Sequence, residues 1–310
     1  MSPMYNKCSL TINLTYLTNL LQLTWRVAAD YISSLRKRSC MSTWAQPQRD
    51  AASPFSELWE YRSLLRNLVI RDLKVRHRRS FLGIAWTMLS PLITTLILAL
   101  VFSTFFGMGA GSAAFTLYVL TGLTIWNLFS SASAIGLTSI QTSGSIIRKV
   151  YVPKVIFPVA AVASSLVNFG FALLTLLLYM LATRTPFRWT FFLAVIPIAE
   201  LVVFSVGLSM VLATLYVYFR DIKWFYDSAL LAWFYATPIF YPPEIIGEKY
   251  LPILRLNPLW PILRAFRGPI ITGTAPRMHD IVVAGLVAIL ALAVGWLVLR
   301  SSEQNLINYL

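Results

Sequence analysis

Residues 71–91 read RDLKVRHRRSFLGIAWTMLSP, and within them a dense run of positive charge gives way abruptly to uncharged sequence. From Ser80 to Ile147 the chain contains no Asp, Glu, Lys or Arg. A soluble domain needs charge on its polar face over so long a run, whereas lipid penalises a charged side chain at mid-depth by about 2.5–3.5 kcal/mol. The stretch marks a membrane protein, with Arg71–Arg79 as a cytoplasmic collar ahead of the first lipid-length segment.

Composition points the same way. Of the 310 residues 57% are hydrophobic and only 12% charged, well below the roughly one-quarter charged content of soluble domains. The net charge of +14 belongs to basic residues flanking apolar runs. That is a topogenic and anionic-lipid signal, so membrane lipids, and not nucleic acid, are the expected partners. Cys8, Cys40, His77 and His279 have no metal-ligand spacing, and no metal is expected. The chain also lacks a GxxxxGK[ST] phosphate loop and cannot hydrolyse ATP by that chemistry.

Six segments reach lipid length: Ile84–Phe106, Phe115–Leu137, Val155–Ala182, Trp189–Phe219, Phe225–Tyr241 and Ile281–Leu299. The first is about 34 Å long as a helix, enough to cross the hydrocarbon core. An even number of spans puts both termini on one side. With that side cytoplasmic, it collects the basic residues from Arg62 to Arg79 together with Arg148, Lys149, Lys154, Arg220, Lys223 and Arg300. The positive-inside rule therefore gives a multi-pass protein with N- and C-termini in the cytoplasm. Lys249, Arg255, Arg264, Arg267 and Arg277 fall on the outer side and need another explanation.

Ahead of the spans, residues 1–55 read as a tail outside the working domain, with Met41 as an alternative start. Residues 56–80 form an amphipathic interface helix. Ser56 caps it, Glu57 and Glu60 suit its positive end, and Leu58, Tyr61, Leu64, Leu65, Leu68, Val69 and Leu73 share one face. Arg71, Asp72, Lys74 and Arg76 are its candidate functional residues, whether it anchors the chain at the membrane surface or docks a partner. Residues 81–310 are the six-span domain. Before its last span, Leu251–Arg267 is too apolar for water and too short and Pro-broken to cross, which predicts a re-entrant helix pair broken at Asn257-Pro258. We read Arg255, Asn257, Pro258, Arg264 and Arg267 as an outer gate. Acidic sugars, a lipid pyrophosphate, or Glu244 and Glu248 are the candidate partners of its arginines. The alternative is a helix pair that snorkels those arginines to the headgroups.

The run at 71–92 closely resembles the start of the first span in permease subunits of the polysaccharide-export ABC transporters of type 2, which move O-antigen, capsule or teichoic-acid chains. IIRKVYVPKVIFPVA at 146–160, YFRDIKW at 218–224, TPIFYP at 237–242 and LNPL at 256–259 followed by Phe266-Arg267 continue the resemblance in order. It implies a homodimer in the bacterial inner membrane that encloses a channel for lipid-linked polysaccharide. Two separate ATP-binding cassette subunits would drive it, with ATP and Mg held on them and no cofactor on this chain. It also implies that Ser145, Ile146, Ile147, Arg148 and Lys149 form the ATPase-coupling loop.

In that setting Trp233, Tyr235, Phe240 and Tyr241 either line the channel, stacking on sugar rings, or pack the fifth span. Glu200, the only acid deep in a span, faces a wet lumen or proton path, or else ties two helices together. A membrane enzyme would need paired acids, a metal cluster or a nucleophile with its base, and a secondary transporter would show an internal repeat with matched broken helices. Neither pattern is present.

Overall fold

The computed structural model describes residues 59–77, 85–106, 113–150, 152–243, 254 and 256–309, all within one compact unit, Ser53–Leu310. Among them there are helices and no strand. In order they are α1 (Arg62–His77), α2 (Ala85–Phe106), α3 (Ala113–Thr142), α4 (Gly144–Ile147) and α5 (Ile156–Ala182). A 3₁₀ turn (Trp189–Ala194) leads into α6 (Val195–Tyr218), then come α7 (Ile222–Ala236), α8 (Leu259–Arg267) with a π turn (Gly268–Thr272), and α9 (Met278–Tyr309). The expected tail and the capping residues Ser56 and Glu57 lie outside the described residues.

Four helical runs are long and apolar enough to cross a membrane: Ala113–Ile147, Ile156–Ala182, Trp189–Tyr218 and Met278–Glu303. The other two expected spans are helical but shorter in apolar length. In α2 that stretch is Met88–Leu98. Helix α7 has 15 residues, about 22 Å, against a hydrocarbon core of about 30 Å. It stops before the expected Tyr241 because Thr237 precedes Pro238, whose ring disfavours helical geometry in that residue, and Thr237 is extended at φ −99°, ψ 131°.

The expected amphipathic helix is present as α1. Leu68 is buried, with Tyr61, Leu64, Leu65 and Val69 around it, while Ser63, Asn67 and Lys74 are exposed. Its apolar face rests on the start of α5, at Ile156 and Phe157, so the protein itself covers much of it.

Between spans, backbone proximity replaces the hydrophobic drive that lipid removes. Helices α6 and α9 touch through small residues: a Cβ on Gly207 would collide with the backbone of Ala291, and one on Gly295 with Gly207. Helix α3 meets α6 where the Ser209 hydroxyl donates to the Ala132 carbonyl at 3.3 Å. Phe129, fully buried, gathers the rings of Trp126, Phe204 and Trp233 between α3, α6 and α7. At the α1 end Lys154 is buried and donates to the Glu303 carbonyl at 2.6 Å, which pins the start of α5 to the end of α9. Burial pushes the Lys154 ammonium below its ordinary pKa, and the Glu303 carboxylate 3.6 Å away opposes that shift.

Gly207→Ala is expected to destabilise the bundle by about 1–3 kcal/mol, because the new methyl meets backbone that cannot yield. Gly170→Ala, with nothing within 4 Å of the added carbon, is expected to be neutral or mildly stabilising. Thermal unfolding of the two variants in detergent checks the contrast.

Candidate functional site

Where α3 and α9 begin, three broken pieces of backbone come together. Beyond Ala236 the chain runs without helix to Pro242, and its carbonyls have no helical partners. Arg267, at the end of α8, supplies them. Its Nη1 donates to the Pro238 carbonyl at 2.8 Å, and its Nη2 donates to those of Ile239 at 2.6 Å and Tyr118 at 3.2 Å. The guanidinium lies over the Tyr118 ring, 3.6 Å from its centroid, and the residue is only 7% exposed. Gly122 makes this possible, since a Cβ there would occupy the space of Arg267 Nη2 and the Ile239 carbonyl.

The expected break at Asn257-Pro258 is observed, and Asn257 holds it. Its Oδ1 accepts from Trp233 Nε1 at 2.9 Å and from the Leu259 amide at 3.0 Å, and its Nδ2 donates to the Thr237 hydroxyl at 2.9 Å. Pro258 then stands at the N-cap of α8. Arg264 engages Asp280 through both carboxylate oxygens, with Nε to Oδ2 at 2.7 Å, and packs over Trp260. Asp280 is 1% exposed.

Two of the three arginines expected at a gate therefore have partners that the sequence reading did not consider: backbone carbonyls for Arg267 and Asp280 for Arg264. Arg255, Glu244 and Glu248 lie outside the described residues. Asp280 was missed because it stands at the first turn of the last span, where an acid reads as a favourable dipole partner and nothing in the spacing ties it to α8.

Of the four aromatic candidates, Trp233 is half-buried, packed against Phe129 and hydrogen-bonded to Asn257. Tyr235 is exposed, and Phe240 and Tyr241 stack edge to face at 5.2 Å. The Tyr241 hydroxyl donates to the Tyr235 carbonyl at 2.9 Å, and that of Tyr118 to the Tyr241 carbonyl at 3.1 Å. These bonds make an aromatic rim at the end of α7.

At the other end, the expected coupling loop is the one-turn helix α4 and its exit. Ser145, Arg148 and Lys149 are exposed and Ile146 is half-buried. Ile147, expected on the docking face, instead turns inward among Ile140 and Ile156, because the loop needs an apolar anchor. A cavity of about 510 Å³ separates α1 from α3 and α5, lined by Arg71, Asp72, Thr138, Thr142 and Asn168 among others. Arg71 pairs with Asp72 at 3.0 Å on its edge and Lys74 is exposed, while the Arg76 side chain lies outside the described residues.

Glu200 is half-buried in α6, and its Oε1 faces Gly285 of α9. Its Oε2 is buried with no hydrogen-bond partner among the described residues. No cluster of His, Cys, Asp or Glu among them is able to hold a metal ion.

The model of the ABC-2 type transporter family matches residues 63–271, which takes in α1 through most of the π turn after α8. The chain belongs to the ABC-2 type transporter family. This ABC-2 chain is 31% identical over 241 residues to the O-antigen export system permease protein RfbA of Myxococcus xanthus, covering 76% of this chain and 91% of that protein. A Klebsiella pneumoniae protein of the same name is 29% identical over 206 residues, 66% of this chain and 78% of its own length. The polysialic acid transport protein KpsM of Escherichia coli is 20% identical over 242 residues, 78% of this chain and 94% of that protein. The matched family region contains α4, the aromatic rim and Arg267, but not Asp280.

Arg267→Lys removes at least one of the three carbonyl bonds and the ring contact. It is expected to cost about 3 kcal/mol, at the strong end for hydrogen bonds to a charged group. Gly122→Ala is expected to destabilise in the same direction by displacing the guanidinium. Denaturation of the two variants measures both.

Proposed function

We propose that this ABC-2 chain is the transmembrane subunit of an ATP-driven exporter that moves lipid-linked polysaccharide, O-antigen above all, from the cytoplasmic side across the inner membrane. The observation that carries the reading is the near full-length similarity to proteins named O-antigen export permeases. ATP is hydrolysed on a separate cassette partner with its Mg, since this chain has no phosphate loop.

The working unit is a homodimer. Helix α7 buries only Tyr226 and Leu230 and exposes Trp224, Phe225, Leu231 and Tyr235, an aromatic face that fits a second copy across a shared channel. In this arrangement α2 and the α7–Tyr241 segment complete six spans, both termini are cytoplasmic, and Tyr235, Phe240 and Tyr241 line the path. Aromatic planes suit a sliding sugar chain because each contact is weak and repeated. The α7–α8 pair, locked by Asn257, acts as the outer gate, and the Leu254–Leu256 side of the break is its second half. Residues 81–310 form the permease domain, with the preceding interface helix against it.

Coupling runs through α4 and its exit. In proteoliposomes holding this chain with its ATPase, Lys149→Asp or Arg148→Asp is expected to lower export at least tenfold while ATP hydrolysis and membrane insertion persist. Ile147→Asp, whose side chain is buried, is expected to lower thermal stability instead. Full export by the Lys149→Asp and Arg148→Asp variants would remove the loop from the coupling path.

A further inference from the structure

A cavity of about 540 Å³ opens beside the aromatic rim, between α8, the π turn and the start of α9. Its wall carries three arginines, Arg264, Arg267 and Arg277, and one acid, Asp280. Arg264 and Asp280 neutralise one another. The carbonyls around Arg267 satisfy its Nη groups without cancelling its charge, and its Nε–H finds no acceptor among the described residues. Arg277 is exposed at the rim. Among the described residues no acid pairs with Arg267 or Arg277, so two positive charges border one cavity, and Arg264 keeps its Nη1 outside the bonds to Asp280.

The depth of the cavity is set by α3. Tyr118 lines it, and Thr142 borders α1 at the opposite end of the same helix, about 36 Å away at 1.5 Å per residue. That exceeds the hydrocarbon core of about 30 Å, so with α1 at one boundary the cavity lies at headgroup level at the other. The surroundings agree. Arg188 donates to the Thr272 carbonyl in the cavity wall at 2.5 Å, and next to it Phe187, Trp189 and Phe192 are exposed, an aromatic belt of the kind found at that depth.

We propose that this cavity binds the phosphodiester of a membrane phospholipid in the outer leaflet. Arg277 and the Nη1 of Arg264 supply donors, Arg267 supplies the field behind them, and Trp260 gives the glycerol an apolar wall. A bound lipid would brace α8 against α9 next to the proposed gate. The site needs no transported sugar, so its test is independent of export.

The test is native mass spectrometry of the full chain in detergent, titrated with phosphatidylglycerol, with diacylglycerol, which lacks the phosphate, and with inorganic phosphate as competitor. One retained phosphatidylglycerol per chain is expected, with diacylglycerol bound at least tenfold more weakly. Arg277→Gln, an exposed position that does not threaten folding, is expected to weaken phosphatidylglycerol about tenfold, and Arg277→Lys to restore part of it. Equal retention of diacylglycerol, or an unchanged affinity in Arg277→Gln, would overturn the phosphate contact. Stabilisation by inorganic phosphate without any retained lipid would overturn the lipid as its source.

Discussion

A backbone carbonyl released from a helix and buried in protein has no water to turn to, and in this protein one buried guanidinium answers that need. Arg267 takes the carbonyls of Pro238 and Ile239, freed where Pro238 ends α7, together with that of Tyr118 in α3. An unpartnered buried carbonyl costs about 1–3 kcal/mol, so the break in α7 depends on the guanidinium at the end of α8. Asn257 closes the same corner from the other side by joining α7 to the cap of α8. The gate proposed above therefore consists of two helices joined at this corner by hydrogen bonds.

The opposite end is held by different chemistry. Lys154 reaches the Glu303 carbonyl, and α1 lays its apolar face on α5, so the turn α4, the proposed coupling element, sits among anchored elements. Between the two ends run α6 and α9, in contact through Gly207 and Gly295. Backbones packed this closely leave no room for an added methyl at either glycine, so α6 and α9 form the stiff centre of the bundle.

Much of this was legible in the chain. Apolar length and the missing charges located the helices, the 3.6-residue pattern located α1, and Asn257-Pro258 announced the break before α8. The end of α7 was legible too, in Thr237-Pro238, but the apolar run to Tyr241 outweighed it, because length-based reasoning weighs hydropathy above the φ/ψ limits of a single proline. Pairings over distance were not legible. Nothing in the spacing assigns Asp280 to Arg264, three carbonyls to Arg267, or an inward turn to Ile147, since each depends on which helices become neighbours. The role of Gly122 likewise becomes visible only when the guanidinium beside it is seen.

Cells that lack this chain give the most direct measurement of its work. If it carries lipid-linked polysaccharide outward, deleting it leaves the finished polymer accumulating on the cytoplasmic face of the inner membrane and absent from the surface, and restoring the chain beside its ATPase reverses both. Normal surface polymer in the deleted cells, with none retained inside, would contradict it.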